Sequence, residues 1–142
     1  MEYLFVYGTL LSDIPSSMSK FLRRRADLIG KATTAGTLYD LGGYPGFVAG
    51  GSGDVHGELY RLHADRAEES RQLLDAYEGV SGAAGEEYAK QPVEVTVKDG
   101  GRFTATTYVY TLPTDELPVI PRGNYPLFYR SNPEHQKFTG RT

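Results

Sequence analysis

An unbroken apolar run near the start of the chain, Tyr3-Leu4-Phe5-Val6-Tyr7, stops abruptly at Gly8-Thr9-Leu10. Five consecutive residues of high strand propensity or apolar bulk predict a buried strand, so the rest of the chain has to be built around it. Gly8 then removes Cβ at the strand exit, where another backbone or a ligand can come close. Thr9 adds a hydroxyl and a further amide at the same place. A strand that leaves into an amide-rich turn is a ready site for a carboxylate or a developing oxyanion. It is equally a first strand that turns a corner, and these residues alone leave both readings open.

The chain has 142 residues, enough for one domain with a real core. Its apolar fraction is a modest 39%, but that includes 11 Tyr and 6 Phe, each of which buries a large area. Seventeen Gly and eight Pro predict many turns, with strands and loops outweighing helix. A net charge of −3 gives no electrostatic case for nucleic acid or an anionic membrane as partner. The absence of Cys excludes disulfides, a thiolate nucleophile and a cysteine-ligated metal. No basic segment leads into an apolar stretch with a small-residue cleavage site, and nothing approaches the ~20 apolar residues of a membrane helix. A soluble, cytoplasmic protein is the expectation.

Residues 15–26 read as a short helix, with Met18, Phe21 and Leu22 on one side and Ser12 or Asp13 as its cap. Lys20, Arg23, Arg24 and Arg25 on it are expected to be a solvated face. Strands are predicted over 33–39, 47–49 and 55–62, with Gly50-Gly51-Ser52-Gly53 as a flexible hairpin loop rather than a phosphate cradle. In the last of these strands Val55, Gly57, Leu59 and Arg61 share one face, and His56, Glu58, Tyr60 and Leu62 the other. Both faces are expected to be partly covered. Residues 65–77 form the clearest helix, opened by an Asp65/Glu68 capping box and ended at Gly79. Two more strands, 91–98 and 103–111, flank the hairpin break Lys98-Asp99-Gly100-Gly101. One domain is expected over residues 1–130, and residues 131–142 are expected to be an aperiodic, mobile tail.

Glu78 is the carboxylate of most chemical interest. It closes a helix, where the negative end of the helix dipole disfavours its ionised form, and partial burial would push its pKa toward neutrality. His56, His63 and His135 do not assemble a metal site, and no serine sits in a nucleophile elbow. Tyr7, Tyr44, Tyr88 and Tyr125 each lie near a Gly or Pro break from which a phenol could reach a ligand.

Taken in order, these marks resemble the γ-glutamylcyclotransferase-like family, including its AIG2-like and γ-glutamylamine cyclotransferase branches. The likeness starts at Phe5-Val6-Tyr7-Gly8-Thr9-Leu10 and continues through Leu38-Tyr39-Asp40, Gly43-Tyr44-Pro45 and Val55-His56-Gly57-Glu58-Leu59-Tyr60. It runs on through Leu74-Asp75-Ala76-Tyr77-Glu78-Gly79, Tyr88, Val93-Glu94-Val95 and Tyr108-Val109-Tyr110. No single mark is specific; their order and spacing over residues 3–112 are.

The resemblance implies an α+β fold, a small mixed β-barrel flanked by two main helices. It also implies a cavity between the Tyr-Gly-Thr-Leu turn and Glu78, with Glu78 as the catalytic acid/base. The implied reaction converts a γ-glutamyl amide to 5-oxoproline and a free amine without a cofactor. The small-molecule substrate would be held by Gly8, Thr9 and Leu10, with Tyr7, Tyr44 and Tyr88 as walls. A noncatalytic ligand-binding domain on the same scaffold is the alternative. Two places depart from the family pattern. Leu11-Ser12-Asp13-Ile14 replaces a basic, Gly-containing segment, and Gly123-Asn124-Tyr125 replaces a Gly-Asp-Trp-like element. Both are expected at the pocket mouth.

Overall fold

The computed structural model describes residues 2–139. Its strands are β1 (Tyr3–Val6), β2 (Ala26–Asp40), β3 (Pro45–Leu62), β4 (Tyr88–Val97) and β5 (Arg102–Tyr110). They close into a barrel in the order β1-β3-β2-β4-β5. Four helices accompany it: α1 (Ser17–Arg25), α2 (Ala67–Glu78), α3 (Tyr125–Arg130) and α4 (Pro133–Thr139). The barrel is mixed: β1 runs antiparallel to β3 and parallel to β5, and the other pairings are antiparallel.

The apolar run finds its explanation in β1. With partners on both edges and covers on both faces, Leu4, Phe5 and Val6 are all buried, so no polar alternation is needed. Both faces of the 55–62 segment are covered as expected, with Val55 and Leu59 buried on one side and Tyr60 and Leu62 on the other.

The three short strands expected over residues 33–62 are instead two long ones, β2 and β3, paired from Ala26↔Leu62 to Asp40↔Pro45. The glycine-rich segment Gly50 to Gly53 is not the hairpin loop. The register passes from Gly36↔Ala49 to Ala35↔Asp54, so these residues form an exposed excursion within β3. A bulge of this kind interrupts the ladder without ending the strand. The hairpin turn lies earlier, at residues 41–44, where Leu41 N–H donates to Tyr44 O (3.0 Å) and Gly42 N–H to Asp40 Oδ1 (2.8 Å).

Ser16, not Ser12 or Asp13, caps α1, its Oγ accepting from Ser19 N (3.1 Å). Pro15 holds its predecessor out of helical conformation, which moves the start of the helix past it. Ser12 is engaged elsewhere, as described below. The arginines of α1 are not uniformly solvated. The Arg25 side chain is mostly buried, stacks on the Phe21 ring at 4.8 Å and pairs with Glu69 of α2 at 3.5 Å. The Asp65/Glu68 capping box does not form. The chain enters α2 through a 3₁₀ turn, Ala64–Arg66, which places Asp65 inside the turn instead of at the helix boundary, and Arg66 supplies no side-chain cap. The C-terminal expectation holds: Gly79 takes φ 72°, with Gly79 N–H on Ala76 O and Val80 N–H on Asp75 O.

The described part of the segment expected as a mobile tail holds a helix. Residues Pro133–Thr139 form α4, and His135 within it is fully buried. Its hydrogen bonds to Tyr125 and Asp40 supply the order that a hydrophobic pattern does not announce. The last three residues of the expected tail, 140–142, lie outside the described residues. Among the described residues no helix is long and apolar enough to cross a membrane.

Candidate active site

The turn that follows β1 is shaped by close packing. A Cβ at Gly8 would lie 2.5 Å from Pro45 Cγ, so the ring of Pro45 occupies the space a side chain would need. Leu11 N–H closes the turn on Gly8 O at 3.0 Å. The N–H groups of Gly8, Thr9 and Leu10 form no hydrogen bond to an acceptor among the described residues. Thr9 fixes the turn on two sides: its carbonyl accepts from Ser16 Oγ (2.6 Å), and its hydroxyl meets the Tyr77 hydroxyl at 2.8 Å.

The C-terminal turn of α2 is fastened over the same place. Asp75 accepts from the Tyr108 hydroxyl (2.7 Å) on β5 and from Lys90 Nζ (2.9 Å) on β4. One turn further on, Glu78 ends the helix. Glu78 and the Tyr7–Leu10 turn line one cavity of about 230 Å³. The Glu78 carboxylate makes no hydrogen bond to a described residue. Desolvation, reinforced by the negative charge of Glu87, pushes its pKa up to about 8.

Tyr7, Tyr44 and Tyr88 all line this cavity, but each hydroxyl proton is already committed. Tyr7 donates to Tyr108 O, Tyr88 to Pro45 O and Tyr44 to Glu87 Oε1, each at 2.7 Å. They therefore offer a ligand their rings and remaining oxygen lone pairs, not their protons. Burial holds the Tyr7 and Tyr88 phenols well above their ordinary value, with Glu78 adding to both, so neither ionises near neutral pH. Glu78, pushed up to about 8, titrates close to that range.

Tyr125 does not join the site. It is fully buried and its hydroxyl meets His135 Nδ1 at 2.7 Å. The two departures also lie elsewhere. Leu11 to Ile14 and Gly123 to Tyr125 contribute nothing to the Glu78 cavity. Leu11, Asp13 and Asn124 border a separate cavity of about 600 Å³ that also touches Glu58. The Gly8–Leu11 turn reverses the chain, and Glu58 then captures Ser12 through its N–H (2.8 Å) and its hydroxyl (2.5 Å). Among the described residues, no group of three or more His, Cys, Asp or Glu is placed to hold a metal.

Sequence reasoning missed Glu87 and Phe138 as cavity residues. Glu87 had a signal, since it directly precedes Tyr88 at the start of a strand. Phe138 had none, because it belongs to a segment without periodicity.

The family model for gamma-glutamyl cyclotransferase, AIG2-like, matches residues 4–127. The gamma-glutamylcyclotransferase family protein YtfP of Escherichia coli K12 is 36% identical over 124 residues, covering 86% of this chain and 94% of that protein. The solution NMR structure of ytfP from Escherichia coli superposes with a TM-score of 0.57 at 34% identity, over 87% of this chain and 95% of that one. The crystal structure of an aig2-like protein from Mus musculus gives a TM-score of 0.67 at 22% identity, over 88% and 94% of the two chains, a likeness of fold alone. Sequence and architecture agree, and the chain belongs to the gamma-glutamyl cyclotransferase, AIG2-like family.

Proposed function

We propose that this protein converts a γ-glutamyl amide to 5-oxoproline and a free amine, with Glu78 as general acid/base. Family membership supports a cyclotransferase-like role. The observation that carries the finer reading is the Glu78 carboxyl. It is pushed up to about 8, lacks a hydrogen-bond partner among the described residues, and shares a cavity with a turn of unengaged amides.

The chemistry follows from that pairing. The α-ammonium of the γ-glutamyl group gives one proton to Glu78, and the free α-amine attacks its own γ-carbonyl carbon. A new C–N bond closes the five-membered ring. The bond from that carbon to the leaving nitrogen breaks as Glu78 returns the proton to it, and the second proton that the ring nitrogen sheds passes by the same carboxylate to the departing amine, which leaves as an ammonium. No water enters and no atom is left over. A carboxyl titrating near 8 is close in proton affinity to an α-ammonium, so the proton passes in either direction at small cost. Gly8, Thr9 and Leu10 N–H groups hold the substrate's carboxylate or the oxyanion of the tetrahedral intermediate. Because amine and carbonyl are parts of one molecule, the main contribution of the cavity is to fold them into attacking geometry.

The test is a panel of γ-glutamyl amines and peptides assayed for 5-oxoproline. We expect turnover by the native protein and a fall of at least about a thousandfold in Glu78→Gln, with an unchanged circular dichroism spectrum. Equal product formation by Glu78→Gln would remove Glu78 from the mechanism. Binding of γ-glutamyl compounds without any turnover would point instead to a ligand-binding domain.

A further inference from the structure

The family match ends at residue 127, and α4 lies wholly beyond it, yet α4 supplies a side chain to the cavity that holds Glu78. That side chain is Phe138. Its ring centroid is 5.0 Å from that of Tyr44, with the planes tilted by 39°. It lies across the backbone of Gly43, where a Cβ would come 3.2 Å from Phe138 Cβ and 3.3 Å from its ring. Gly43 thus leaves the space that Phe138 fills.

The position of α4 is fixed by polar bonds as well as by packing. His135, one turn before Phe138, meets Asp40 Oδ1 through Nε2 at 2.6 Å and the Tyr125 hydroxyl through Nδ1 at 2.7 Å. The Phe128 ring meets the His135 ring at 89° and 5.1 Å. Asp40 ends β2, directly before the hairpin that carries Gly43 and Tyr44. Residues 135 and 138 lie three apart and so share a helix face. The same face of α4 is therefore clipped to this hairpin twice, and the second contact forms part of the cavity wall.

We infer that Phe138 is a specificity-determining residue which, with Tyr44, forms an aromatic wall for the carbon skeleton of the leaving amine. This rests on the reaction proposed above. The γ-glutamyl half of such a substrate has only two methylenes between an ammonium, a carboxylate and the scissile carbonyl. Two aromatic rings, one with its hydroxyl proton given to Glu87, offer no donor to the carboxylate or the carbonyl. They best match the part of the substrate that can present a large apolar surface, the group on the amide nitrogen. Among the described residues the cavity lining contains two carboxylates, Glu78 and Glu87, and no Lys, Arg or His. The leaving amines that fit are accordingly those bearing an apolar or aromatic group and no carboxylate.

The experiment compares γ-glutamylbenzylamine with γ-glutamylmethylamine as substrates of the full chain, in the native protein, Phe138→Leu and Phe138→Ala. The ratio of the two kcat/KM values is the readout, because a merely structural role would lower both together. We expect the native protein to favour the benzyl compound by about tenfold, and Phe138→Ala to lose most of that preference through KM. Phe138→Leu, which keeps apolar bulk, retains part of it. An unchanged ratio in both variants overturns the inference. If the native protein turns over neither compound, the proposed reaction fails instead. Calorimetric binding of the same two amides then decides the wall: a benzyl preference lost in Phe138→Ala supports it, and equal affinities in the native protein overturn it.

Discussion

Glu58 on β3 and Glu78 at the end of α2 are two carboxylates withdrawn from bulk water, and their surroundings are opposite. Glu58, 7% exposed, accepts from Ser12 N–H and Ser12 Oγ and lies 3.4 Å from the Tyr60 hydroxyl. Glu78 has no donor among the described residues, and a second carboxylate, Glu87, stands near it. A carboxylate supplied with donors is a fastener: Glu58 holds the Leu11 to Ile14 segment against the barrel. One left without them has its charge and its proton available for another molecule. Burial alone therefore does not distinguish a functional acid from a structural one; the count of donors does.

The same isosteric change at each site tests the comparison. In Glu78→Gln the largest effect falls on turnover, the loss of at least about a thousandfold expected above, with little loss of stability. In Glu58→Gln the effect falls on stability. One carboxylate oxygen becomes an NH₂ that faces the donors of Ser12, which should cost roughly 2 kcal/mol. Urea unfolding of both variants, with the rate of the surviving folded fraction, reads the two effects separately. If Glu58→Gln were as stable as the native protein, or if Glu78→Gln were the less stable of the two, the distinction drawn here would fail.

A further effect is expected on how stability varies with pH. The folded protein keeps the Glu78 proton up to about pH 8, whereas the unfolded chain releases it near the ordinary glutamate value. Between those two values the folded state binds more protons. Its stability from this group is fully present at the low end of the window and is lost as pH rises through it. The slope is at most about 1.4 kcal/mol per pH unit. Glu78→Gln has no such proton, so the stability difference between native and variant should shift in favour of the variant from pH 5 to pH 8. Parallel curves across that range would mean that Glu78 is not desolvated.

The comparison also shows what could be read from residues alone. Strand pattern and a helix-ending glycine placed β1 and α2, because each is a local consequence of side-chain spacing, whereas the mixed barrel was legible only through the resemblance. Glu78 and the Gly8 to Leu10 turn were legible as a pair through the resemblance, some seventy residues apart. The capping of α1 and the entry to α2 were not. The cap of α1 depended on what side chains met elsewhere, since Ser12 was taken by Glu58 and Ser16 by Thr9 O, and the entry to α2 depended on the 3₁₀ turn Ala64–Arg66. The role of Phe138 was illegible for the same reason, since α4 owes its place to a buried histidine and two distant partners. Long-range polar bonds leave no periodic trace in sequence.

The smallest effect separates the two carboxylates of the cavity itself. Glu87 contributes to the raised pKa of Glu78 after desolvation, through its charge. The rise of kcat/KM with pH, which reports the free enzyme, should bend near pH 8 as Glu78 ionises. Glu87→Gln removes a negative neighbour, favours the Glu78 carboxylate and moves that bend to lower pH by roughly one unit or less. Glutamine keeps an oxygen that can accept from the Tyr44 hydroxyl, so the aromatic wall stays in place. A bend that stays where it was would assign the whole shift to desolvation, and one that moves upward would contradict the repulsion between Glu78 and Glu87.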